Sequence, residues 1–137
     1  MVFGSALFQF LIGNCDAHCK NFSFFVLRDG IEPAPWNDLV SVMQYPEISH
    51  ELAMGFGDVF ELKEVKGFAF ANFAQCCQIP LTLLHREAVK VANSAAKYAD
   101  ALALNDEFTN EERSLILKSS KFVIQQAELF RIYTKEA

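Results

Sequence analysis

Residues 12–39, IGNCDAHCKNFSFFVLRDGIEPAPWNDL, gather three aspartates, three asparagines, a histidine, a lysine and two cysteines into one short stretch. Several chemistries can be built from these side chains. Cys15, His18 and Cys19 offer soft ligands for a metal such as zinc, with Cys76 and Cys77 as further thiols. The same cysteines beside His18 offer a thiol nucleophile with a base. Asp16, Lys20, Asn21 and Asp38 offer the parts of a phosphoryl-transfer site: a carboxylate for the attacking hydroxyl, a cation, and oxygen ligands for Mg²⁺. A fourth reading involves no chemistry at all. In it Asp16 and Asn21 turn a loop, and Asp38 caps a short helix starting near Leu39.

Spacing separates these readings. Structural zinc sites use paired C-x-x-C or H-x-x-x-H spacings, and neither occurs here. Adjacent side chains such as Cys76 and Cys77 point about 100° apart on a helix, which is poor for joint ligation. A Cys–His pair must meet in space, and nothing beside Cys15 or Cys19 reads as an oxyanion hole. Asp16 to Asn21 is an offset of five, the Asp-to-Asn spacing of the kinase catalytic loop H-R-D-L-x-x-x-N. A short hairpin then leads to Asp38, while Asp29 needs only a turn residue's explanation. Asp-x-x-x-x-Asn alone recurs by chance, and the order of loop, hairpin and later aspartate strengthens it. From the residues alone, phosphoryl transfer and the capping reading both stand.

The elements that must position these residues can be read from the rest of the chain. At 137 residues, with 52% hydrophobic and 21% charged residues, the chain has the length and composition of one folded domain. A net charge of −5 argues against broad electrostatic binding to nucleic acid. Phe3 to Ile12 is apolar but too short to span a membrane, and it lacks the basic start of a secretory signal, so a buried helix or strand is expected there. Together with the cysteine usage this suggests a reducing, cytoplasmic setting. Gly13-Asn14 punctuates the end of that element. FSFFVL reads as a strand, Arg28-Asp29-Gly30 as a turn, and IEPAPW as a return strand cut short by Pro33 and Pro35. From about Asn37 to Gly57 no period is sustained, so a loop with a short helical turn is expected, with Gly55 and Gly57 as loop glycines.

Helices are expected over LKEVKGFAFANFAQCCQ, ending before Ile79-Pro80, and over the segment starting at Leu81. In the latter, Leu84, Ala88, Val91, Ala95, Tyr98 and Leu102 share one helical face. The last helix opens with a capping box, Thr109 with Glu112, and its lines Leu115/Phe122/Leu129 and Ile116/Val123/Phe130 predict a broad buried stripe. The expected fold is mainly α with one small β-hairpin: residues 1–39 carry the polar loop and hairpin, and residues 40–137 form a helical remainder. Fourteen phenylalanines imply more apolar surface than so short a chain readily covers, and hence self-association or a covering partner.

The stretch IGNCDAHCKNFSFFV…APWNDLVS resembles the signature of the HipA-like Ser/Thr kinases, the toxin components of bacterial toxin–antitoxin pairs. Their catalytic stretch reads approximately I-G-N-x-D-x-H-x-K-N-F-S, followed by a hairpin and P-x-Y-D-[LIV]. Asn37 stands where tyrosine is usual, and Cys15 and Cys19 occupy variable positions. HELAMGFG resembles the segment that follows. The resemblance implies a kinase-like C-terminal lobe using ATP and Mg²⁺, with Asp16 as catalytic base and Asn21 and Asp38 as metal ligands. It places Lys20 near the phosphates and has His18 orient the loop. It also implies a protein serine or threonine as acceptor and a DNA-binding antitoxin as partner. A phosphate-covering loop and a strand lysine find no room before Asp16, so the expectation is a C-lobe that is inactive until an N-terminal lobe joins it. A non-catalytic interaction module, or part of a small-molecule or lipid kinase, are the alternatives.

Overall fold

The computed structural model describes residues 2–137. It is mostly helical, with helices α1 (Val2–Leu11), α2 (Gly67–Cys76), α3 (Leu81–Ala103) and α4 (Asn110–Glu136). Two antiparallel hairpins interrupt the helices: β1 (Phe24–Leu27) with β2 (Gly30–Pro33), and β3 (Glu51–Phe56) with β4 (Val59–Glu61).

The first apolar element is a helix because Gly13 ends it in a left-handed turn, at φ +69°. Gly13 N–H donates to the Phe10 carbonyl and Asn14 N–H to the Gln9 carbonyl, the paired bonds of a Schellman cap. Glycine is required here twice over. A Cβ at Gly13 would lie 2.9 Å from a ring carbon of Phe122 and would collide with Met43. Helix α1 buries Leu7, Phe10 and Leu11 beneath the other elements.

Phe10 opens an aromatic core assembled from distant parts of the chain. Its ring centroid lies 5.3 Å from Phe56, 5.3 Å from Phe70 and 5.5 Å from Phe130. Phe70 in turn lies 5.2 Å from Phe56 and 5.1 Å from Phe130. Burying each such ring stabilises the fold by about 1.5–3 kcal/mol, and the tilted and edge-on pairings add to that.

Helices α3 and α4 run antiparallel, since His85 near the start of α3 hydrogen-bonds Thr134 near the end of α4 at 3.1 Å. The Thr109–Glu112 capping box starts α4, with both reciprocal bonds present. The expected faces of these helices hold only in part. Leu84 and Ala88 are buried, but Tyr98 and Leu102 are exposed. Helix α3 has 23 residues, about 35 Å at 1.5 Å each, whereas α1 has 10, about 15 Å, and cannot cover its full length. On α4 the buried residues are Ser120, Ala127, Phe130 and Thr134, while Leu115 and Leu129 face solvent. Lines of seven-residue spacing drift by about 20° per repeat on a straight helix, so only some of these leucines meet the core.

The β1–β2 hairpin pairs Phe24 with Pro33 and Leu27 with Gly30 around the Arg28–Asp29 turn, with Gly30 at φ +151°. All eight of its residues are exposed. A two-stranded ribbon carrying Phe24, Phe25, Val26, Leu27 and Ile31 in water is poorly stabilised by itself.

The second hairpin departs from the sequence expectation. The segment to Gly57 contains the predicted helical turn, a 3-10 turn at Val42–Gln44, but then forms β3 where a loop was expected. Gly57, at φ +61°, turns β3 into β4, so strands flank the glycine pair. The 40–137 remainder is therefore helical apart from this ribbon. Tertiary contacts hold β3: Ala53 N–H donates to the Cys15 carbonyl at 2.8 Å, and Leu52 and Phe56 are buried.

Candidate active site

The Schellman cap of α1 delivers the chain directly into the polar loop. After Asn14, Cys15 is buried and its thiol donates to the His50 carbonyl at 3.4 Å. Burial, and secondarily the negative charge of Glu61, push the Cys15 thiol up to about 11. Cys15 is therefore a protonated packing group at neutral pH and a poor nucleophile. Among the described residues, no group of three or more His, Cys, Asp and Glu side chains is arranged to hold a metal ion.

Asp16 is exposed at the turn that follows, and its carbonyl accepts from His18 N–H at 2.9 Å. The His18 carbonyl accepts from Asn21 N–H at 3.0 Å, which closes the 3-10 turn Cys19–Asn21. This loop is shaped by its backbone. The His18 ring is half-buried, and its Nδ1 has no hydrogen-bond partner among the described residues. Lys20 is exposed and makes no salt bridge among the described residues.

Asn21 is buried, and its Nδ2 donates to Oδ2 of Asp38 at 2.9 Å, across 17 residues and the whole β1–β2 hairpin. The hairpin is the reason the two meet, because antiparallel pairing returns the chain to where it left. An amide N–H facing a carboxylate oxygen is the favourable orientation, and it leaves Asn21 Oδ1 without a hydrogen bond among the described residues.

Asp38 does not cap a helix. It lies in the left-handed region at φ +54°, uncommon for any residue with a side chain, although aspartate tolerates it better than most. Such a conformation costs about 1 kcal/mol and persists only where surrounding contacts fix it. Two contacts do so. Asn21 holds the carboxylate, and Asn14 Nδ2 donates to the Asp38 carbonyl at 2.9 Å. Asn14 Nδ2 also donates to Gln9 Oε1 at 2.6 Å. Asn14 and Gln9 were not marked as site residues by spacing. Their signal was Asn14's place just after the helix-ending glycine.

The donors present suit Mg²⁺. An amide oxygen and a carboxylate are hard oxygen ligands, and Mg²⁺ is commonly bound by one or two protein groups with phosphates and water completing the shell. The structure thus joins Asn21 to Asp38 directly, while Asp16, Lys20 and His18 lie on the same loop with no side-chain hydrogen bond to that pair among the described residues.

Known proteins resemble this chain over most of its length. A model of the HipA-like C-terminal domain family matches residues 1–118. The chain is 31% identical over 132 residues to the serine/threonine-protein kinase toxin HipA of Shewanella oneidensis, covering 96% of this chain and 30% of that protein. It is 35% identical over 102 residues to the putative kinase Y4mE of Sinorhizobium fredii, covering 74% of this chain and 24% of that protein. Among solved structures, it matches a chain from the complex of Shewanella oneidensis HipA, HipB and operator DNA with a TM-score of 0.87 at 30% identity. That match covers 97% of this chain and 32% of the other. The chain thus spans less than a third of the relatives it matches, and across that span it belongs to the HipA-like C-terminal domain family.

Proposed function

We propose that this chain is the catalytic C-terminal lobe of a HipA-like serine/threonine kinase. In this reading Asp16 accepts the proton of an acceptor hydroxyl as its oxygen bonds to the γ-phosphorus of ATP, and the bond from that phosphorus to the ADP oxygen breaks. Asn21 and Asp38 would hold Mg²⁺, which when bound would offset negative charge on the phosphates. Lys20, on the same turn, is assigned to the phosphates, and His18 holds the loop through its backbone N–H and carbonyl. The observation that carries the reading is the 2.9 Å bond between Asn21 and Asp38, which joins the two expected metal ligands across the hairpin.

Nearly all adenine contact, and much of the phosphate contact, is assigned to an N-terminal lobe. The exposed apolar β1–β2 hairpin is the surface suited to that lobe or to another covering chain, including a second copy. The HipA relative is seen in a complex with HipB and operator DNA, which supports a DNA-binding antitoxin as a partner here as well. This chain itself, at net charge −5, is not assigned a nucleic-acid surface. The setting assigned to the chain is cytoplasmic, and among the described residues no helix is long and apolar enough to cross a membrane.

The test is phosphoryl transfer from ATP with Mg²⁺, measured for the 137-residue chain alone and after addition of the N-terminal portion of a HipA-like kinase. Alone, nucleotide affinity is expected at about millimolar or weaker, about 4 kcal/mol of binding, with no measurable transfer. With the N-terminal portion, transfer to a protein serine or threonine is expected, and Asp16→Ala removes it. Assembly without transfer would favour the non-catalytic interaction module that the exposed hairpin also suits. Transfer that survives Asp16→Ala refutes the assigned base.

A further inference from the structure

We propose that Asn14 is a positioning residue for phosphoryl transfer, one that sets the backbone of Asp38 so that its carboxylate meets Asn21. This rests on the metal-ligand reading given above. Asn14 is 1% exposed, and both protons of its amide are spent, one on Gln9 Oε1 at 2.6 Å and one on the Asp38 carbonyl at 2.9 Å. The Schellman cap fixes Asn14 from behind, since its own N–H is bonded to the Gln9 carbonyl at 2.9 Å. Gln9, itself 3% exposed, then aims the Asn14 side chain. The direction of the Asp38 carbonyl depends on that residue's left-handed conformation, so a bond to that carbonyl selects the conformation that presents the carboxylate to Asn21. A further bond, Val42 N–H to the Gly13 carbonyl at 3.2 Å, closes the segment on its other side.

The remaining atom of the Asn14 amide argues for the same role. Its Oδ1 is buried without a hydrogen-bond partner among the described residues, an unfavourable state that a leucine of similar shape would avoid. Packing alone therefore does not account for an asparagine at this position, whereas its two donor bonds do. Asn14 touches no reacting atom in this scheme and acts through Asp38.

The test uses Mn²⁺ alone as the probe, on the ¹⁵N-labelled 137-residue chain. In the parent chain, the Asn21 side-chain and Asp38 amide signals are expected to broaden at lower Mn²⁺ than the amide of Ala92, which is buried in α3. Asn14→Leu leaves two acceptors unpaired and lowers the unfolding temperature. The double variant Asn14→Leu with Gln9→Met removes the unpaired Gln9 acceptor and is expected to recover part of that loss. A positioning role predicts that the double variant still needs roughly tenfold more Mn²⁺ for the same broadening, the usual scale for lost support behind a metal ligand. Parent-like Mn²⁺ response in the double variant overturns the role of Asn14 and leaves the metal pair intact. An unchanged response in Asn21→Ala and Asp38→Asn overturns the metal pair itself, and the proposal with it. A measurement without substitution also decides: the Asn14 side-chain protons should exchange with solvent roughly 100-fold more slowly than those of exposed Asn110. Equal exchange shows that no clamp exists.

Discussion

Substitutions at Asp38 separate the backbone cost of the site from its hydrogen bond. Asp38→Asn keeps a side chain that tolerates φ +54° and an oxygen that accepts from Asn21, and it loses only the charge. A charge-assisted bond contributes about 1.5–3 kcal/mol and a neutral one about 1, so the expected loss is about 0.5–2 kcal/mol. Asp38→Gly loses the whole bond and leaves the buried Asn21 amide unpaired. Its relief of left-handed strain is offset by the greater freedom of glycine in the unfolded chain, giving a net loss of about 1.5–3 kcal/mol. Asp38→Ala loses the same bond and enters the left-handed region without the short polar side chain that eases it for aspartate, at up to about 1 kcal/mol more. Thermal unfolding reads the series, since a chain of this length shifts by about 4 °C per kcal/mol. The expected order of unfolding temperature is parent, Asn, Gly, Ala. If alanine is no worse than asparagine, neither the left-handed strain nor the Asn21 bond has been correctly weighed.

Two further outcomes follow from the core and the thiols. Phe70→Ala should lose about 3–5 kcal/mol in urea unfolding, because its ring is fully buried among Phe10, Phe56 and Phe130, whereas Phe68→Ala, 79% exposed on the same helix, should change stability by less than about 0.5 kcal/mol. Equal effects would mean that α2 presents a different face to the core. Cys15 is protonated up to about pH 11 when folded and to about 9 when unfolded, so the folded state holds its proton more tightly. Its contribution is fully present below pH 9 and is lost as pH rises through 11, by at most about 3 kcal/mol. Cys15→Ala should flatten that alkaline decline, and the thiol should resist alkylation at pH 8 while exposed Cys19 and Cys76 react.

What the sequence disclosed was mostly local. Gly13-Asn14 ended α1 as a cap should, Asp29-Gly30 turned the first hairpin, and Thr109 with Glu112 started α4. Each of these is decided within a few residues, where the backbone has few choices. The second hairpin was hidden because Glu51-Leu-Ala-Met-Gly-Phe lacks β-branched residues and its pairing with β4 is irregular. Its strand conformation is imposed from outside, through Cys15 and the buried Leu52 and Phe56. The exposure of Tyr98, Leu102, Leu115 and Leu129 was hidden for a related reason: periodicity marks a face but not how far a neighbour extends along it. At the site, spacing picked out Asn21 and Asp38 as candidates. The left-handed backbone of Asp38 and its bond to Asn14 depend on a meeting 24 residues apart that no local pattern records.

The second half of α4 has a consequence for where this domain ends. The family match stops at residue 118, yet Phe122 roofs Gly13, Phe130 completes the ring cluster, Thr134 ties α4 to α3, and Ser119 bonds Gln44 at 3.3 Å. The span of the family match is therefore shorter than the unit that folds. The residues outside the match include no candidate site residue, but they pack behind the segment that leads into the polar loop. A chain trimmed at residue 118 would retain every candidate site residue and forfeit the geometry that gives them meaning.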